Sequence, residues 1–266
     1  MDLELADKVA VVTGGSRGIG KAVAHALAQE GARIALIARD LQVAKHSADE
    51  IADRSRQTVT AYAADTGDDA AVQSAIERIA GDFGQIDILV NAAAQPGGQS
   101  RPPKLAEITN DHFWADMNVK VMGYLRCARA VAPHMAQRHW GRIINISGLA
   151  ARQTGSTIGS MRNIAVAALT KNLADELGPL GINVTCVHPG ITRTEKTPGA
   201  LQRQAEALGI TADEVEKRWA GSNLIRRIVT AEEVADVVAF LASPRSVAIN
   251  GDAIATGGGT PGAIHY

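Results

Sequence analysis

The sequence predicts an α/β protein: one domain across residues 1–266, built as a doubly wound, parallel sheet of seven strands with helices on both faces. Three observations predict it. Apolar runs alternate along the whole chain with amphipathic stretches of helical spacing. Runs such as 86–90 and 143–146 are too nearly continuous in apolar residues to leave either face in water. The first run, Val9, Ala10, Val11 and Val12, stops abruptly at glycine and leads straight into a helical pattern.

Taken in order, strands are predicted over 8–13, 33–38, 58–63, 86–91, 142–147, 183–187 and 253–255. Helices are predicted between them over about 19–30, 41–54, 69–83, 111–138, 160–177 and 231–241. The start of the last is supported by Thr230 followed by Glu233, the spacing of a capping box. Between the sixth strand and that helix the rhythm is interrupted. Residues 192–222 contain Pro198, Gly199, Gly209 and a polar helical stretch over 201–220. Ligands of open α/β sheets bind outside the carboxyl ends of the strands, so an insertion there is expected to be a substrate lid. No repeat, low-complexity tract or dividing linker is present.

Bulk composition excludes several function classes. With 27 Lys+Arg against 28 Asp+Glu the formal net charge is −1, which leaves no global basic field for nucleic acid or anionic lipid. Aromatic residues make up 3%, too few for a base-stacking platform. No apolar run spans a bilayer, and the opening residues are too acidic for a signal peptide. Cys127 and Cys186 sit in apolar surroundings without ligand spacing, as small core residues of a reducing compartment; a cytoplasmic location is expected. Acidic and histidine residues do not cluster as ligands, so no metal is expected.

The stretch T-G-G-S-R-G-I-G (residues 13–20) follows the first strand and opens the first helix. Glycines there let backbone N–H groups approach an anion, and the helix N-terminus adds partial positive charge; a pyrophosphate suits such a turn. Gly14, Gly18 and Gly20 after Thr13 resemble the T-G-x-x-x-G-x-G turn of the short-chain dehydrogenase/reductase family, and the resemblance runs from Asp7 to about Gly259. It implies a Rossmann-type fold and coenzyme contacts from Gly14, Ser16, Arg17, Gly18, Ile19 and Gly20. Asp65 and Thr66 match the family's adenine-side position, and Asn91, Ala92 and Ala93 lie in a variant of its N-N-A-G segment. In H-P-G-I-T-R-T, residues Pro189, Gly190, Ile191 and Thr194 match the loop on the nicotinamide side. Ser147 matches the serine that holds the substrate oxygen, and Asn118 the asparagine of the proton relay. Dimers or tetramers are common in the family; Ile164, Ala165 and Ala168 form an apolar stripe compatible with such a contact or with core.

Charge indicates the coenzyme. An acidic residue closing the second strand would bond a ribose 2′-hydroxyl and repel a 2′-phosphate. Ala38 stands there, followed by Arg39, with Arg17 on the same side. Two guanidiniums favour NADP(H) over NAD(H), although Asp40 is adjacent.

One part of the pattern is missing. The family's chemistry rests on a tyrosine and, four residues later, a lysine whose ammonium brings the phenolate within reach near neutral pH. Neither Tyr62 nor Tyr124 is followed by lysine at that spacing, and Tyr266 ends the chain. Aligned from L-T-K (residues 169–171), the two positions fall on Gly159 and Asn163, with Arg162 adjacent. Asn163 could still bond ribose, but a neutral amide cannot depress a neighbour's pKa, and an arginine is a poor general base.

Three readings therefore stay open. In the first, the protein is an NADP(H)-dependent oxidoreductase acting on a carbonyl or alcohol. Its proton then comes from another group: His188, a water held by Ser147 and Asn118, or His265 and Tyr266 of the tail. In the second, the chain binds coenzyme without hydride transfer, as a sensor, a partner subunit or a non-redox enzyme. In the third, no dinucleotide is bound and the domain is structural, against which the intact glycine turn argues. Trp219, at the end of the lid, is the tryptophan expected to meet substrate; Trp114 is expected in the core.

Overall fold

Seven parallel strands form the sheet: β1 (Val9–Thr13), β2 (Arg33–Ala38), β3 (Val59–Ala63), β4 (Ile88–Asn91), β5 (Gly141–Ile146), β6 (Ile182–Pro189) and a last, C-terminal strand (Ala253–Thr256). Their order across the sheet is β3-β2-β1-β4-β5-β6 and then the C-terminal strand. This computed structural model describes residues 1–95 and 102–264. The chain leaves β3 on one edge and returns as β4 beside β1, so the order reverses between β1 and β4. A crevice opens at the carboxyl ends of the strands at such a reversal.

Alternating side chains send the strands into two cores. On one face Ala10, Val12, Ile34, Leu36, Ile144 and Ile146 meet helices α1 (Gly18–Gln29) and α2 (Leu41–Ser55) and a late helix over Ala231–Ala242. On the other, Val9, Val11, Ile37, Leu89 and Val184 meet α3 (Asp69–Phe83), α5 (Gly123–Gln137) and α6 (Thr157–Leu177). Full burial on both faces is why these strands are so apolar.

Two expectations about helices are corrected. The helix foreseen over 111–138 is α4 (Asn110–Met117), then a π-helical segment (Asn118–Met122), then α5. The wider turn of the π segment resets the helical phase, and such segments recur at functional sites. The polar stretch over 201–220 is two helices, α7 (Thr197–Leu208) and α8 (Ala212–Ala220), separated at Gly209, whose φ is +64°. Thr211 and Glu214 form a capping box that starts α8. A short parallel ladder, β7 (Thr192–Arg193) with β8 (Val229–Thr230), ties the ends of this excursion together. The late helix, α9 (Ala231–Ala242), begins with the expected Thr230–Glu233 capping box, and the C-terminal strand is β9. Trp114, foreseen in the core, is 60% exposed on α4.

Candidate active site

A cavity of about 1030 Å³ lies over the carboxyl ends of the strands. The turn after β1 forms one wall, with Gly14, Ser16, Arg17, Gly18, Ile19 and Gly20 all on its surface. Gly14 adopts φ +67°, and a Cβ on it would stand 2.9 Å from the Ala93 backbone. At Gly20 a Cβ would lie 2.4 Å from the Gly14 carbonyl, so the turn closes only around glycine. The Gly14 N–H donates to the Ile37 carbonyl (2.8 Å) and the Ser47 hydroxyl to the Ser16 carbonyl (2.9 Å), which fixes the turn on β2 and α2. Thr13 Oγ1 accepts from the N–H groups of Ala92 (3.1 Å) and Ala93 (3.3 Å), seating the β4 loop beside it.

The turn has the donor set for an anion. The Gly18 N–H, the first of α1, donates to Glu195 Oε2 at 3.1 Å, so a carboxylate oxygen stands where a phosphate oxygen would be received. Arg17 and Arg39 are exposed at the same end of the cavity, and neither has an ion-pair partner among the described residues. The carboxylate of Asp40, the residue that weighed against a phosphate, caps α2 instead: it accepts from the N–H groups of Gln42 (3.0 Å) and Val43 (3.1 Å). Asp65 and Thr66 border the cavity from the loop just past β3. Asp65 Oδ1 accepts from the Gly67 N–H (2.8 Å), and Thr66 donates to the Val119 carbonyl (3.2 Å). These residues fit a dinucleotide: a glycine cradle for pyrophosphate, with two uncommitted guanidiniums beyond it.

At the other end, Ser147 closes β5 and Asn163 faces it from α6. The Ser147 hydroxyl donates to the Asn163 carbonyl (2.9 Å). Between them lies a residue that the sequence reading missed. Lys120, on the π segment, is 4% exposed, and its ammonium donates to the Ser147 carbonyl (2.9 Å) and to Asn163 Oδ1 (3.0 Å). Burial, reinforced by the Arg162 cation, lowers its pKa to about 7. Arg162, also on the cavity wall, is ion-paired with Asp116 of α4. Tyr124, one helical turn beyond Lys120, is buried and donates to the Ile146 carbonyl (2.9 Å); burial keeps its phenol protonated well above the usual range. Cys186 of β6 completes the group, its thiol pushed up to about 11 by burial.

Several candidates are not brought to the cavity. Asn91 is fully buried and donates to Asn145 Oδ1 (2.9 Å), tying β4 to β5 beneath the floor; Ala92 and Ala93 reach the surface instead. Asn118 turns away, its amide donating to the Gly67 carbonyl (3.2 Å) and its oxygen accepting from Arg126 (2.8 Å). His188 is 1% exposed and lies 3.8 Å from the Cys186 sulfur, within the sheet. Gly159 is buried in the first turn of α6, its N–H held by the Ser156 cap (3.1 Å). Pro189, Gly190, Ile191 and Thr194 all line the cavity. His265 and Tyr266 lie outside the described residues. Among the described residues no group of three or more His, Cys, Asp or Glu side chains could hold a metal, and no helix is long and apolar enough to cross a membrane.

Fold and cavity together define a single-domain α/β protein of the dinucleotide-binding type. The family model described as enoyl-(acyl carrier protein) reductase matches residues 14–260, and the chain belongs to the short-chain dehydrogenase/reductase family. The short-chain reductase protein NovJ of Streptomyces niveus is 36% identical over 259 residues, covering 96% of this chain and 94% of that protein. The NADPH-dependent reductase BacG of Bacillus subtilis is 29% identical, over 96% of this chain and 98% of its own length. The crystal structure of L-sorbose reductase from Gluconobacter frateurii, complexed with NADPH and L-sorbose, superposes with a TM-score of 0.93 at 28% identity, covering 99% of this chain and all (100%) of that one.

Proposed function

We propose that the protein is an NADP(H)-dependent oxidoreductase that interconverts a small carbonyl compound and its alcohol. The observation that carries the coenzyme assignment is the pair Arg17 and Arg39, exposed at the end of the cavity beyond the glycine turn and without an ion-pair partner among the described residues, with the Asp40 carboxylate spent on capping α2. A 2′-phosphate gains charge-assisted bonds there, and the adjacent Asp40 carboxylate is engaged by the α2 N-terminus. Similarity to BacG, an NADPH-dependent reductase, and to the NADPH complex of L-sorbose reductase supports the same choice. The coenzyme, when bound, supplies or accepts the hydride.

The protein's own groups would do the rest. Gly14, Gly18 and the start of α1 hold pyrophosphate; Ile191 and Thr194 border the nicotinamide end; the Ser147 hydroxyl, donated here to the Asn163 carbonyl, turns to the substrate oxygen when substrate binds. Residues 192–222 serve as the lid: Gln204, Trp219 and Ser222 reach the cavity from it, and the Trp219 indole is steadied by the Gln204 oxygen (2.9 Å). Gly159 and Asn163 in place of the family's tyrosine and lysine mean that the proton comes from an atypical donor. Met161 and Ile164, about half exposed on α6, suit a contact between copies in a homodimer or homotetramer. Two buried free cysteines suit a reducing compartment such as the cytoplasm.

Calorimetric titration with NADPH and NADH tests the assignment. NADPH should bind at least about tenfold more tightly, and Arg39→Ala should erase most of that difference. Equal affinities, or no heat with either, would overturn it. If coenzyme binds but no panel of carbonyls or alcohols turns over, the chain is instead a coenzyme-binding relative without hydride transfer.

A further inference from the structure

We propose that Lys120 supplies the proton of the reaction, taking over from α5's side of the cleft the work that Gly159 and Asn163 cannot do. The proposal rests on the redox reading above. Its ground is the position of the Lys120 ammonium, within 3.0 Å of both the Ser147 carbonyl and Asn163 Oδ1, on the wall of the same cavity that Ser147 lines. Asn163 is the hub of this arrangement: its carbonyl receives the Ser147 hydroxyl (2.9 Å) and its amide oxygen receives Lys120 (3.0 Å). An ammonium has three hydrogens, and two protein acceptors are present; the third has no acceptor among the described residues.

The surroundings favour a labile proton. Lys120 is buried, and a lysine taken out of water releases its proton more readily. The charged and titratable groups facing it from the elements around it are Arg162 on α6, Asp116 on α4, Cys186 on β6 and Tyr124 on α5. Arg162 pushes the proton off, and its ion pair with Asp116 moderates that push. Cys186 and Tyr124 stay protonated through the neutral range, because burial raises both. The resulting pKa of about 7 is near the optimum for proton transfer at physiological pH.

In the direction of reduction, the Ser147 hydroxyl rotates away from the Asn163 carbonyl and the substrate oxygen rests against it. As hydride adds to the carbonyl carbon, the C=O π pair moves to oxygen. That oxygen forms its O–H bond with a proton from the Lys120 ammonium, passed directly or across one water. Lys120 is left as a neutral amine and regains a proton from solvent; oxidation of an alcohol runs the same transfers in reverse. Lys120 is thus a donor near Ser147, where the family pattern places a tyrosine assisted by lysine.

Two measurements test this, one without coenzyme. Protein carrying 15N-lysine is titrated by NMR from pH 5 to 11. One lysine Nζ should titrate near pH 7, vanish in Lys120→Met and move upward in Arg162→Gln. Turnover of 4-nitrobenzaldehyde with NADPH is then followed against pH. In the wild type kcat should fall above about pH 7, and Arg162→Gln should shift that fall upward. Lys120→Arg, which keeps the charge but holds its proton, should lose about 100-fold or more in kcat while binding NADPH as the wild type does. A Lys120 resonance titrating above pH 9.5, or full turnover by Lys120→Arg, overturns the proposal and leaves the coenzyme assignment standing. Wild-type protein that binds NADPH yet reduces nothing overturns the proposal together with hydride transfer. Failure to bind NADPH overturns the redox reading itself.

Discussion

Asp87 and Lys120 are both buried ionisable residues, and they bear on different things. Asp87 is 1% exposed, and its Oδ2 accepts from the Val9 N–H (2.8 Å) and from Gln85 Nε2 (2.7 Å). It anchors the start of β1, the strand that carries the glycine turn. Asp87→Ala orphans a buried N–H and should cost about 2–4 kcal/mol in urea unfolding, with Asp87→Asn costing less. Lys120 acts on stability through protons. Its folded pKa of about 7 lies below the ordinary 10.5, so between those values the unfolded chain holds a proton that the folded chain has released. Stability relative to Lys120→Met should therefore rise with pH across that window, by up to about 1.4 kcal/mol per pH unit, and be flat below it. Cys127 and Cys186, raised by burial to about 12 and 11, act in the opposite sense above pH 9 but are common to both proteins. Melting curves of the two proteins at several pH values would show a constant difference if Lys120 titrated normally.

At the scale of elements, the loop that enters α7 makes a contact with consequences for binding. Glu195 is exposed and its carboxylate accepts the Gly18 N–H (3.1 Å), the donor best placed for a pyrophosphate oxygen. A pyrophosphate received at that N–H would displace it, and the carboxylate would add like charge beside a polyanion. Glu195→Gln should tighten NADPH binding by roughly two- to fivefold, the effect shrinking at high salt; weaker binding would mean that Glu195 helps to seat the coenzyme. The π segment Asn118–Met122 is the second element that matters. A regular helix through α4 and α5 would present its side chains in another phase, and Lys120 would not meet Asn163 as it does.

Across the molecule, the sheet lets short stretches of chain cooperate over long sequence separations. The Gly14 turn and the Ala92–Ala93 backbone are joined through Thr13, and Lys120, Ser147 and Asn163 converge from π segment, strand end and helix. Most of this frame was legible beforehand, because fully covered parallel strands must be apolar and glycine turns must follow them. The seven strands, the capping box at Thr230 and the glycine turn from Gly14 to Gly20 on the cavity wall are where the residues indicated. The roles of Asn91, Asn118 and His188 were not, since a polar residue near a strand end looks the same whether it faces a cleft or ties strands together. Lys120 was invisible for a similar reason: on an amphipathic helix a lysine reads as solvated, and nothing in V-K-V-M announces a π turn.

The amino-acid sequence by itself determined the layering, the strand-to-helix rhythm and the glycine cradle. Those follow from local periodicity and from the backbone freedom of particular residues. Only the tertiary structure decided which polar groups share the cleft. It turned the Asp40 carboxylate into a helix cap, left Arg17 and Arg39 without an ion-pair partner among the described residues, and brought an ammonium from the π segment to Ser147 and Asn163. Charge and proton affinity depend on burial and on neighbours distant in sequence, and these exist only once the chain has folded.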